Sequence, residues 1–272
     1  MHRLMLSTPV VLILLCTPLA LGQQEKAEAL CSDTVAALQK TDAAPLAKLL
    51  SAHAGTFLLS LGDRALLLNA SALANKDKWA DQPLLSEAAK RGEVKASDRL
   101  YATRVEATIE DGDKKYVLDG VAMGEGGRLK WGMAAVVPKP AEPQDEKAVS
   151  EVLGLMNSWM EALAGGNVNP LLEALSPEAM AVAVVGPDYG FYVFNDLADL
   201  RAVAEQAMGM GGLNMLLPQE PQVTLSGPVA LLKGLLTVDV AGQTSKLECW
   251  AHLVRTEPGW RLAALFALPP EQ

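Results

Sequence analysis

Histidine and cysteine are scarce, with three of each in 272 residues. His53 and His252 stand far apart with no partner at metal-ligand spacing, so a zinc site is not expected. No GxSxG turn and no Cys–His arrangement offers an activated nucleophile. The glycine-rich stretches GMGGLN and GEGGR lack the strand, spacing and lysine of a phosphate cradle, and no cofactor is expected. Met208, Met210 and Met215 cluster around a glycine turn, where thioethers more often cap a core or line an apolar rim than bind copper. Basic residues are also short: 23 Lys and Arg stand against 32 Asp and Glu, a net charge of −9. That balance excludes a nucleic-acid partner, which needs clustered cations to displace counterions. What the sequence does have is apolar material: half of it is hydrophobic, enough for a proper core.

One long apolar run exists, at the start. Residues 1–22 read as a signal peptide, with Arg3 ahead of an apolar stretch from Val10 to Leu15 and small residues at Ala20 and Gly22. Pro9, Thr17 and Pro18 interrupt it, and a spanning helix needs about 20 unbroken apolar residues. The expectation is cleavage before Gln23, export to a periplasmic or extracellular space, and no membrane span thereafter. Lipid attachment at Cys16 is disfavoured by the bulky Leu14 and Leu15 before it. Cys31 and Cys249 then remain, either bridged or as two buried thiols acting as small hydrophobes.

The rest is written twice. Pro45, Leu46 and Ser51 recur as Pro170, Leu171 and Ser176; Gly62 to Leu73 recurs as Asp188 to Leu200, with Asn69 matched to Asn195. KWGMAAVVP from Lys130 pairs with GWRLAALFALP from Gly259, which sets Trp131 against Trp260. A Pro- and charge-rich stretch separates the copies. The domains expected are a signal at 1–22, a first repeat at 23–138, a linker at 139–145 and a second repeat at 146–272.

Each copy opens with an apolar-periodic helix, Leu30 to Leu38 and then Val152 to Leu163. A short second helix and a strand pair follow (TFLLSL and ALLLN, then AVAVV and FYVFN). Next comes a helical stretch, Trp79 to Lys90 or Leu197 to Met208, and three long strands close the copy. This is an α+β order with helices on one sheet face. The opening helix, the break at Gly165 to Asn167 before a helix ending in Ala174-Leu175-Ser176, and the Gly259-Trp260-Arg261-Leu262 turn resemble the nuclear transport factor 2-like superfamily, with its polyketide-cyclase-like and ketosteroid-isomerase-like domains. The resemblance implies two tandem cone-shaped repeats, each a curved antiparallel sheet wrapped around helices, with room for a small apolar ligand. It also implies outer-face pairing of the sheets, here as an internal pseudo-dimer.

Candidate site residues fall in the second copy. Alternation along Lys246 to Val254 puts Glu248, Trp250 and His252 on one face and Leu247, Cys249, Ala251 and Leu253 on the other. If the first face lines the cone, Glu248 or His252 could move a proton in a ketosteroid-isomerase-like or cyclase-like reaction. If it lies on the convex side, those residues meet solvent or the other copy. Trp159, Tyr189 and Tyr192 complete the ligand-binding candidates, although Asp188 and Tyr189 also suit a plain turn. Without a convergent catalytic set, three readings stay open: a binder or scaffold, an enzyme, and an envelope protein-interaction module.

Overall fold

The computed structural model describes residues 9–40, 44–52, 55–61, 64–69, 84–97, 102–140, 143–165, 167–176, 181–185, 191–194, 201, 205, 213–240, 243–268 and 270. Helix α1 (Pro9–Leu38) runs without a break from the apolar amino-terminal stretch past the expected cleavage point before Gln23, and α2 (Ala44–Leu49) follows it. Six strands come next: β1 (Thr56–Leu61), β2 (Arg64–Asn69), β3 (Lys90–Ala96), β4 (Ala102–Asp111), β5 (Lys114–Glu125) and β6 (Arg128–Pro138). The order then repeats: α3 (Glu146–Ala164), α4 (Val168–Glu173), β7 (Ala181–Val185), β8 (Phe191–Phe194), β9 (Leu213–Ser226), β10 (Val229–Val240), β11 (Gln243–Thr256) and β12 (Gly259–Leu268).

The two sheets share one topology, β2-β1-β6-β5-β4-β3 and β8-β7-β12-β11-β10-β9, which fits a tandem arrangement. Neighbouring strands are antiparallel except for β1 with β6 and β7 with β12, which run parallel. Each sheet carries a bulge at the same place. Register slips at Gly132, between the pairs Val121–Met133 and Ala122–Trp131, and at Ala263, between His252–Ala264 and Leu253–Leu262. Such bulges bend long strands and curve the sheet.

Three sequence expectations need correction. Leu84 to Ala89, the described part of the helical stretch expected at Trp79 to Lys90, forms bends and a turn, and Lys90 begins β3. Strands β3 and β9 were not foreseen, because both are edge strands without a clean apolar alternation. Strand β3 reads KRGEVKA with only Val94 buried, and β9 slips register around its prolines Pro218 and Pro221. The pairing of Trp131 with Trp260 is also off by two: the shared bulge makes Trp131 the counterpart of Leu262, and Leu129 that of Trp260. The same frame is set independently by Ser51 and Ser176, whose backbone N–H groups donate at 2.8 Å to the carbonyls of Trp131 and Leu262.

Each sheet buries one face under its own helices. Leu30, Cys31 and Leu38 of α1 pack with Leu118 and Trp131, while Val152, Met156, Trp159 and Met160 of α3 pack with Cys249, Ala251, Leu253 and Leu262. The opposite faces meet each other in two further buried clusters that draw on both sheets. The layers therefore run helix, sheet, sheet, helix. Cys31 and Cys249 lie in the two outer cores with both sheets between them, and are free. Packed sheets stand about 10 Å apart and a disulfide needs Cα atoms within about 7 Å. The bridge left open by the sequence does not form, and burial pushes both thiols up to about 12.

Candidate functional site

Strand β11 decides which way the predicted residues look. Its small apolar set, Leu247, Cys249, Ala251 and Leu253, fits beneath α3, and strand alternation then forces the other set outward. Trp250 packs with Ala102, Val121, Met123 and Met133 of the first sheet. His252, 2% exposed, meets Asp119 of β5. Glu248 shares their side by alternation and is half-buried. Of the two placements left open for Glu248, Trp250 and His252, the convex one, turned to the other sheet, holds for Trp250 and His252, because the small apolar set fills the side beneath α3. Trp159 is buried in the second core on α3. Tyr192 lies on β8 with its side chain outside the described residues, and Tyr189 and Asp188 lie outside them altogether.

Arg104 and Asp119 of the first sheet complete the arrangement. Arg104 of β4 hydrogen-bonds through its guanidinium to the Asp119 carboxylate, lies 3.5 Å from Glu106, and sits 5.3 Å from the centre of the Trp250 ring. The last is a cation–π geometry. His252 Nε2 stands 3.9 Å from Asp119 Oδ1, within ion-pair range and beyond a hydrogen bond. Neither ring nitrogen of His252, nor Nε of Arg104, has a hydrogen-bond partner among the described residues, and all three are enclosed. A cavity of about 150 Å³ opens beside them, reached by Lys233, Thr224 and Gln222 of the second sheet. Burial alone would push the Asp119 carboxyl up. His252 and the Arg104 guanidinium outweigh that and hold it below the usual carboxylate range.

A carboxylate held ionised by a guanidinium is a weak base, whereas efficient proton transfer calls for a pKa near the working pH and an aligned acceptor. The chemistry that fits this arrangement is a charged clamp between two sheets. One signal for it was present in the sequence: Asp119 interrupts the apolar run of Val117, Leu118, Gly120 and Val121. It occupies the same place in β5 as Trp250 in β11, facing Ala135 and Phe266 respectively.

Among the described residues no group of three or more His, Cys, Asp or Glu could hold a metal, and no helix is long and apolar enough to cross a membrane. No family model matches the chain, and no curated protein matches it. Solved structures similar to it are nuclear transport factor 2-like and cystatin-like proteins. One, from Streptomyces avermitilis and provisionally called a dehydratase of the nuclear transport factor 2-like family, is 19% identical, with a TM-score of 0.41, covering 47% of this chain and 99% of its own. A Pseudomonas putida protein of that family, of unknown function, is 17% identical over 47% of this chain and 90% of its own, with a TM-score of 0.40. A third, from Novosphingobium aromaticivorans with a cystatin-like fold, is 19% identical over 46% and 84%, with a TM-score of 0.38.

Proposed function

We propose that this chain is an exported, non-catalytic binding protein whose two halves pack as an internal pseudo-dimer. The buried clusters between the sheets support the pairing, because four of their positions are images of each other. One joins Ala102, Met123 and Met133 of the first sheet to Phe266 and Leu268 of the second. The other joins Val229 and Val254 of the second to Ala135 and Val137 of the first. Met123 and Val254 are counterparts in the two sheets, as are Ala135 with Phe266 and Val137 with Leu268. Self-complementary contact of this kind characterises two-fold interfaces. The face that a ketosteroid-isomerase-like reading would have used is spent on this joint, which weighs against turnover.

Binding in the second half rests on one observation. The Trp159 indole N–H is buried in the core of that half with no acceptor among the described residues, whereas in the first half Trp131 donates to Thr34 Oγ1 at 2.9 Å. An orphaned buried donor is an invitation to an acceptor, and a small apolar ligand carrying a carbonyl supplies one. In a thermal-shift panel, carbonyl-bearing apolar compounds should raise the melting temperature, by the equivalent of about 2.7 kcal/mol at 100 times the dissociation constant. Trp159→Phe should weaken that response. A panel with no responder, or a response that Trp159→Phe leaves intact, would overturn the reading.

A further inference from the structure

A groove of about 690 Å³ runs along the outer side of α1, closed by α2 and by the β5–β6 hairpin. Its lining is strongly cationic for a chain of net charge −9: Lys26, Lys40, Lys48, Arg128 and Lys130, against the single acid Asp33. Lys130 is paired with Glu125 at 2.9 Å. The other four cations are exposed and have no ion-pair partner among the described residues.

The second half provides an internal control. In the helices the halves correspond at a spacing of 125. Buried Ala27, Cys31, Thr34 and Val35 match buried Val152, Met156, Trp159 and Met160. At the hairpins, where Glu125–Arg128 matches Thr256–Gly259, the spacing is 131. On that correspondence Lys26, Lys40, Lys48 and Arg128 become Glu151, Gly165, Glu173 and Gly259. Among the described residues the same scaffold carries four cations without an ion-pair partner in one half and two acids with two glycines in the other. The fold therefore does not require the charge, and the first groove alone is built for an anion.

The floor selects the rest of the ligand. Ala29, Leu30, Ala36, Ala37 and Leu49 line it, along a helix stripe about 20 Å long at 1.5 Å per residue. No aromatic ring is present among the lining residues to stack a base or sugar. The α1 backbone is committed to its own helix, so an extended peptide laid along it would leave N–H and C=O groups unsatisfied where it covers the floor. An acyl chain has no such groups. We infer that the first-half groove binds an anionic amphiphile, with its apolar chain on the alanine and leucine floor and its carboxylate or phosphate head met by the lysines and Arg128.

Titration calorimetry of the full chain, below the micellar range, tests this with decanoate, decyl phosphate, decanol and polyglutamate. Decanoate or decyl phosphate should bind one to one, the stronger of the two naming the head group, and decanol should bind at least tenfold more weakly. Lys26→Glu with Lys48→Glu installs the residues of the second half at exposed positions. It should weaken decanoate or decyl phosphate at least tenfold while the melting temperature stays put. If that variant is unfolded by circular dichroism, Lys26→Gln with Lys48→Gln replaces it and should weaken binding at least threefold. Trp159→Phe should leave this binding unchanged, which separates the groove from the second-half site. Decanol binding as well as decanoate, polyglutamate binding in place of both anionic amphiphiles, or undiminished binding to the charge variants would overturn the proposal.

Discussion

Thr34 and Trp159 hold the same place on the opening helices of the two halves, and a set of matched substitutions follows from that difference. In the first half a small helix residue lets the strand carry Trp131, whose indole N–H Thr34 accepts. In the second the indole sits on the helix, and the strand position is Leu262. Gly120 belongs to the same set. A Cβ there would come within 2.4 Å of the Met133 carbonyl and 3.0 Å of the Trp131 ring. Its counterpart, beside the smaller Leu262, is Ala251. Thr34→Val should leave the Trp131 N–H buried and unpaired, at a cost of about 1–3 kcal/mol in urea unfolding. An unchanged midpoint would show that the bond contributes nothing. Asp119→Asn should cost about 3 kcal/mol, because the Arg104 guanidinium, 15% exposed, then keeps only the half-exposed Glu106 at 3.5 Å as its counter-charge. The pH dependence has a definite sign. The folded Asp119 titrates below its unfolded value, so its contribution is present above an ordinary Asp pKa of about 3.9 and is lost as pH falls through the folded value. The Asn variant should lack that part of the acid limb, and identical acid profiles would refute the assignment.

At the scale of elements, β11 carries both duties of the second sheet. Cys249 shows the helix-facing duty: it sits under α3, where burial pushes its thiol up to about 12, as it does that of Cys31 beneath α1. Thiol mapping on the denatured, unreduced protein should find Cys31 and Cys249 both free, and neither should react in the native state. One titratable pair missing after denaturation would restore the bridge. The partner-facing duty is carried by Trp250 and His252. Their counterparts in β5 are Asp119 and Val121, so the polar clamp exists only where the two sheets meet. An asymmetric contact of this kind, set in an otherwise image-related joint, gives the halves a fixed register.

For the whole molecule, the joint rather than the linker should hold the halves together. Beyond the apolar clusters, Ser60 Oγ donates to the Ser226 carbonyl at 3.3 Å and Ser226 Oγ to the Pro138 carbonyl at 2.8 Å. Phe266 fills space that Gly132 leaves open, where a Cβ would lie 2.7 Å from its ring. A protease site placed between residues 139 and 145 should yield two fragments that co-elute after cleavage. Phe266→Ala, which removes a fully buried ring at a cost of about 3–5 kcal/mol, should let them separate. Fragments that part without it would sink the pseudo-dimer.

Local pattern in the sequence determined the opening helices, the short second helices, the central strands and the α+β class, because 3.6- and two-residue periodicities record which face each element buries. It could not determine the edge strands, where one side lacks a partner and the apolar signal fades, nor the frame of the second repeat at β12. There a two-residue displacement of tryptophan disguised the correspondence that the bulges at Gly132 and Ala263 define. The site divided the same way. Alternation put Glu248, Trp250 and His252 on one face, but which face looked inward depended on what packed under α3. Asp119 and Arg104 lie in the other half of the chain, and contacts between distant segments leave no periodic trace in either. Only the meeting of the two sheets brought an aspartate, an arginine, a tryptophan and a histidine together, because burying a charge is tolerable only where its partner is buried with it.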